Sequence, residues 1–458
     1  MAAPRAFCAR NTETFPLPPS ATATGLAGNN MPFPKSPCRL RGRAEQNGML
    51  MTDILFTGVE RPVRFLHCPM LVGQARRFFH AWPHEEARLP EGDAVIHVRA
   101  FGREPGGYDI RVPWMPGPCH EPSMASALCS LAIELVAAFC ESHPQMTCLH
   151  AAAVRSGNGT LLLLGDNHAG KSTLVARLMA EGRVCLGDDL IGVAPGGTLW
   201  SFGIPPRLRL PLPSSPGLAA FVQKNRGIRD DRYQYLRADC AFSAPFGQAL
   251  PPDRIIILQR RSGERARLLP VTHDSGLMQL LPHYVMRRGS ADIVLGQAAH
   301  LIRNVPAFVF RYSGLDEAAD VLLNRPSTDA VAPEAPPHPR PHESSPAMYS
   351  RETPRLSRTC HRQAPGTRIR VEHGNIFLMD GASDRMYGLN RLGETLWHML
   401  EQPLSEAEAA QLLQEAFPGT DKGRIAHDVA EIFARLRHEG LILRCTPETP
   451  PRAEKNRN

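Results

Sequence analysis

The run Gly165-Asp166-Asn167-His168-Ala169-Gly170-Lys171-Ser172 fits the spacing GxxxxGK[ST]. Glycines at its two ends let a backbone wrap tightly and aim N–H groups at phosphate oxygens. A helix opening at Lys171 adds the positive end of its dipole. Lys171 supplies a compact charge for the terminal phosphates, and the Ser172 hydroxyl stands where a Mg2+ ligand is needed, with Thr173 next to it. Two adjacent carboxylates, Asp188 and Asp189, interrupt an apolar run. Neighbours on a strand point to opposite faces, so the pair is expected to divide two jobs. One carboxylate would hold the cation; the other would orient or deprotonate an attacking hydroxyl. A strand-ending turn facing solvent is the alternative. His150 lies in the apolar run 149–154; taken alone, such a histidine is more often a core residue.

The patterns around these residues are those that would position them. Residues 160–164 (TLLLL) read as a buried strand entering the loop, and 172–181 as a helix leaving it. Further strands are expected at 149–154, 184–186, 191–193, 255–258 and 307–312, with a closing helix at 315–323. Strands alternating with helices predict an α/β layer over 147–325. Ahead of it, 51–146 reads as an α+β region with strands at 93–101 and 108–112 and a helix at 123–142. The apolar stretch 124–140 in that helix is expected to be too short for a bilayer.

Composition bounds the rest. The chain has 458 residues, net charge +7 and 11 cysteines. No cysteines sit at metal-ligand spacing, which predicts reduced thiols and a cytoplasmic protein. Residues 1–50 carry Arg5, Arg10, Lys35, Arg39, Arg41 and Arg43 against Glu13 and Glu45, without periodicity. They read as a disordered or mis-started extension, so the basic balance is weak support for nucleic-acid binding. Residues 326–366 are Pro-rich and predict a linker. Residues 367–445 form a last block, and 446–458 a disordered tail.

The histidine, the loop and the Asp pair, in that order, resemble the catalytic domain of the HPr serine kinase/phosphorylase family. The resemblance implies an α/β P-loop kinase core related to phosphoenolpyruvate carboxykinase, using ATP and Mg2+ to phosphorylate a seryl hydroxyl on a protein. By position, Asp188 is then the residue that handles the seryl proton, His150 and Lys171 flank the phosphates, and Ser172 and Asp189 form the metal side. Relatives assemble into rings, so a homo-oligomer is possible. Three departures stand out. Thr173 replaces the family's usual Glu. The run Phe202-Gly-Ile-Pro-Pro-Arg207-Leu-Arg209 replaces its glycine-rich signature. The family's N-terminal domain is not recognisable in 51–146. Arg207 and Arg209 could clamp phosphate or simply lie on a solvated edge.

In 367–445 the pattern LNxxGxxxW from Leu389 to Trp397 follows strands expected at 368–373, 375–380 and 385–389. Asn390 is a candidate N-cap, Ser405 and Glu408 a capping box, and 422–439 a third helix. Leu412, Leu413 and Phe417 are its neighbour's expected apolar face. This block resembles the PqqD family of winged-helix-like α+β domains, which bind leader segments of ribosomally made peptides. The resemblance implies strand addition along Arg385, Met386 and Tyr387. The expected whole is a kinase that phosphorylates a Ser or Thr on a peptide or small protein held by a flexibly tethered PqqD-like domain. An ATP-gated recognition module without phosphotransfer is the alternative. Mixed charge on 422–439 argues against DNA, and no membrane partner is expected.

Overall fold

The computed structural model describes residues 51–87, 94–101, 104, 106–156, 159–285, 291–324, 354–379 and 386–445. The segments expected to be disordered, 1–50 and 446–458, lie outside these residues, as do Arg385 and the linker up to residue 353.

Residues 51–146 build a six-stranded sheet in the order His84–Ala87, Met51–Phe56, Val63–Leu66, Ile96–Ala100, Tyr108–Arg111, Cys119–Glu121. Helix Met124–Ser142 lies against it, opened by a Ser123–Ser126 capping box. The helix reaches 19 residues, long and apolar enough to cross a membrane by length and composition. That corrects the expectation that it is too short. Leu128, Leu131, Leu135 and Phe139 are buried in the core beneath the sheet, the usual place for an apolar helix in a packed layer. This region is not an independent unit. Its core takes in Phe202 and Tyr235 from much later in the chain, and Trp82 stacks on Phe246 at 4.8 Å.

The next layer centres on a six-stranded sheet ordered Val184–Gly187, Ala152–Ser156, Gly159–Leu164, Arg254–Arg260, Ala307–Tyr312, Arg267–Pro270. Strands 159–164, 254–260 and 307–312 run parallel; the outer pairings are antiparallel, so the sheet is mixed. Alternation sorts the central strand: Leu162 and Leu164 face one core, Leu161 and Leu163 the other. Helices Lys171–Ala180 and Leu315–Leu323 cover the second face, and His273–Leu280 and Ala291–Asn304 the first.

The strand expected over 149–154 is two strands. Thr147–Leu149 belongs to a separate four-stranded sheet, and Ala152–Ser156 to the six-stranded one. His150 and Ala151 make the transfer between sheets.

The C-terminal block opens earlier than expected. His361–Gln363, placed in the linker by composition, pairs with Ile442–Arg444. Strands Arg368–Glu372, Asn375–Met379 and Met386–Leu389 form a meander, followed by helices Arg391–Met399, Glu406–Ala416 and Lys422–His438. Asn390 caps the first helix through Gly393 N at 2.7 Å, and Ser405 with Glu408 closes the capping box. Leu413, Val429, Phe433 and Trp397 are buried, whereas Leu412 and Phe417 are exposed, contrary to their expected place on the apolar face.

Candidate functional site

The loop between strand Gly159–Leu164 and helix Lys171–Ala180 depends on its glycines. Gly165 has φ 152° and Gly170 φ 96°. A Cβ at Gly170 would stand 2.5 Å from the Tyr312 hydroxyl, which donates to Ala169 O at 2.6 Å. The loop is therefore seated on the 307–312 strand. Asp166, Asn167 and His168 form its exposed tip, His168 also with positive φ (71°). Lys171 is buried and folds back so that Nζ donates to Gly165 O at 2.7 Å. Gly170 offers no side chain to cap the helix, so the N–H groups of its first turn are not met by a capping side chain.

The carboxylate pair sits just past the end of strand Val184–Gly187, not within it, and Asp189 takes φ 65°. This is a strand-ending bend, as the alternative had it, yet Asp188 is only 2 % exposed. The bend sends the two carboxylates to different partners. Asp188 Oδ2 accepts from Arg207 N at 3.1 Å, and the nearby Ser172 hydroxyl favours the ionised form of this carboxylate. Its Oδ1 is buried without a hydrogen-bond partner among the described residues. Burial and the neighbouring Asp189 push its pKa up to about 7. Asp189 Oδ2 pairs with Arg207 Nη2 at 2.8 Å, and Oδ1 lies 3.5 Å from His150 Nε2. Burial would raise this group too, but Arg207, then His150 and Lys171, outweigh it and hold the carboxyl well below the usual carboxylate range. One carboxylate is thus kept ionised while its neighbour is poised near neutrality.

Of the expected metal side, Asp189 faces Arg207 and His150, and Ser172, in the first turn of helix Lys171–Ala180, lies near Asp188. Arg207, a candidate phosphate clamp, instead grips the Asp pair through both backbone and guanidinium. Its guanidinium lies 4.7 Å from the Tyr233 ring centre and 2.8 Å from Cys129 Sγ. Helix Met124–Ser142 therefore braces this site through Cys129. Arg209 reaches the loop tip and contacts the His168 ring at 2.6 Å.

Sequence reasoning missed His283. It closes the short turn Leu281–His283, and its carbonyl accepts the His150 N–H at 2.6 Å. Burial, then Lys171 and His150, lower its pKa to about 4, so at neutral pH it is an uncharged imidazole beside the loop lysine. A strand–loop–helix motif gives no sign of a partner more than a hundred residues downstream; only the fold brings it in.

The C-terminal block can be placed among known proteins. Residues 375–442 match the family described as Coenzyme PQQ synthesis protein D (PqqD). This part of the chain is a PqqD-like domain. The matched stretch runs from the middle strand of the meander to the strand after the last helix. No curated protein matches the chain. Of the expected peptide contacts, Met386 and Tyr387 lie on the outer strand of the meander, half-buried. Tyr387 Oη donates to Glu439 Oε2 at 2.7 Å, tying that strand to the end of the last helix.

The PqqD-like domain is not freely tethered. Phe377 and Met379 belong to the same core as Leu277, Leu280 and Val294 of the layer around the second six-stranded sheet. Arg368 and Arg370 both pair with Asp292, at 2.8 and 3.2 Å. The meander is docked on this layer because one of its faces is apolar and must be covered; residues 326–353 of the expected tether lie outside the described residues.

Proposed function

We propose that this protein is an ATP-dependent kinase, related to HPr kinase, that phosphorylates a Ser or Thr hydroxyl on a peptide or small protein recruited by its PqqD-like domain. One observation carries the reading: a buried carboxylate, Asp188, poised near pH 7 with one oxygen unpaired, beside a GxxxxGK[ST] loop. The residues fit a nucleotide tail. The uncapped helix start at Gly170, the close-packed glycines and the folded-back Lys171 together make a cradle for phosphate oxygens. They also fit Mg2+ at Ser172 and the Asp188 side. Among the described residues no group of three His, Cys, Asp or Glu is gathered for a metal. Bound there, the nucleotide supplies the phosphoryl group and the cation neutralises its charge.

In this reading Asp188 accepts the proton of the acceptor hydroxyl through Oδ1. Arg207 keeps Asp189 ionised, and that fixed charge raises Asp188 into the range where a base works at neutral pH. His150, hydrogen-bonded through its backbone to the His283 turn, orients Asp189 from the phosphate side. The PqqD-like domain supports a peptide as the partner, in the setting of ribosomal-peptide modification.

The test is mass spectrometry of Ser- and Thr-containing peptides incubated with the full chain and Mg-ATP. Wild type is expected to give phosphopeptide. Asp188→Asn is expected to give none while still binding nucleotide, and Lys171→Ala to lose nucleotide binding. A second reading, an ATP-gated recognition module without phosphotransfer, rests on the docking of the PqqD-like sheet on the helix that leads to His283. Wild type that binds nucleotide and peptide but never forms phosphopeptide would favour it.

A further inference from the structure

The meander of the PqqD-like domain lies between two cores. On its middle strand Phe377 and Met379 face the P-loop layer, while Ile376 and Leu378 face the domain's own helices. The register carries this alternation to the outer strand. Met386 and Gly388 stand opposite Met379 and Phe377, and Tyr387 and Leu389 opposite Leu378 and Ile376. Beyond Met386–Leu389 no described strand pairs. Such an edge presents backbone N–H and C=O groups to an extended chain. A chain that adds there continues both faces of the sheet, so alternate side chains must meet two different walls.

One wall is the domain's own. The other comes from the P-loop half. Met278, on helix His273–Leu280, lies over Gly388: a Cβ at that glycine would come within 2.9 Å of its Cε and 3.5 Å of its Sδ. Met278 fills the place that a larger residue at Gly388 would take, and its half-buried side chain borders the edge on that face. We infer that Met278 is a specificity-determining residue of the peptide site. The occupant is an extended segment with an apolar side chain at the positions that share the face of Met386 and Gly388. That side chain seats on the thioether, which adapts to irregular apolar shapes. A charged side chain there would be stripped of water without a partner. The peptide site is therefore composite, built by both halves of the chain. This inference rests on the peptide reading proposed above.

The test uses the full chain and a defined probe: the best binder selected from a phage-displayed random 12-residue library, labelled with fluorescein. Hydrogen exchange is expected to show its protection at Met386–Leu389. Met278→Ala should weaken its binding about tenfold, the order expected for losing apolar contacts of this size from a pocket. Met278→Leu should keep it within about twofold, because volume and apolarity are preserved. Exchange in strand Asn375–Met379 should be the same in all three proteins, which separates loss of the wall from undocking. Peptide protected at Met386–Leu389 whose affinity ignores Met278→Ala would overturn the inference and leave the peptide reading standing. Weakened binding accompanied by faster exchange in Asn375–Met379 would overturn it too, as a docking effect. A library that yields no binder protecting that edge would remove the peptide reading and this inference together.

Discussion

Asp188 and Asp189 are chemically identical neighbours with opposite environments. The difference is led by Arg207, which gives its guanidinium to Asp189 and a backbone N–H to Asp188, and His150 and Lys171 add to the positive surroundings of Asp189. A carboxyl raised from the ordinary 3.8 to about 7 makes folding pH-dependent with a definite sign. The native state binds the extra proton between those values, so the group's contribution is present below about pH 4 and lost as pH rises through about 7. Asp188→Asn removes that loss. Its melting temperature is expected to match wild type near pH 4 and to exceed it by a widening margin up to pH 7, then by a constant one, as calorimetry across that range would show. Phosphotransfer by wild type should rise over the same window as the base becomes ionised. Flat activity through pH 7 would count against Asp188 as the base. Gly170 is constrained differently, by φ 96° and the Tyr312 hydroxyl. Gly170→Ala is expected to lose nucleotide binding and roughly 1–2 kcal/mol of stability, the usual cost of a Cβ in left-handed backbone; urea denaturation and nucleotide titration read the two effects.

At the scale of elements, sequence reading worked best where structure is made by neighbours in the chain. Strands 191–193 and 307–312 and helix 315–323 stand where periodicity placed them. Both expected caps in the C-terminal block, Asn390 and Ser405, are formed, because a cap involves residues three apart. Ser405→Ala is expected to cost about 1 kcal/mol, and loss of less than a tenth of that in a denaturant titration would mean the cap is not needed. Reading failed where the sheet changes. The run 149–154 is uniformly apolar, and nothing in an apolar run says that it leaves one sheet and enters another at His150. It failed again at Leu412 and Phe417, whose spacing suits an apolar face but whose helix turns them to the surface. Short strands such as Arg207–Arg209 and Tyr233–Leu236 carry too little pattern to be seen, yet they hold the arginine that organises the site.

The described halves of the molecule share cores, and that has a consequence for stability. Phe377 is 1 % exposed and sits in the core with Leu277, Leu280 and Val294 although it belongs to the PqqD-like meander. Phe377→Ala is expected to cost about 3–5 kcal/mol. It should also turn a single calorimetric transition into two, as the docked domain comes free. The surface pairs of Arg368 and Arg370 with Asp292 are partly exposed and contribute much less to holding the domain in place. If Phe377→Ala leaves one unchanged transition, docking is held by something other than this apolar face. A composition-based linker had suggested freedom of movement. The apolar face of the meander decides otherwise, and the unbroken apolar run IFLM marks a strand covered on both faces without saying what covers the second.

The amino-acid sequence by itself determined the glycine-bounded turn at 165–170, the helix that follows it, the caps and the order of the C-terminal elements. Each of these is set by backbone geometry and side chains within a few residues of one another, so the chain states them directly. The tertiary structure alone decided that Arg207 serves the Asp pair, that the His283 carbonyl meets the His150 N–H, and that the PqqD-like meander is docked on the six-stranded layer. Those outcomes depend on burial and on charges brought together from distant positions. Desolvation and proximity have no signature in a linear string until the chain has folded around them.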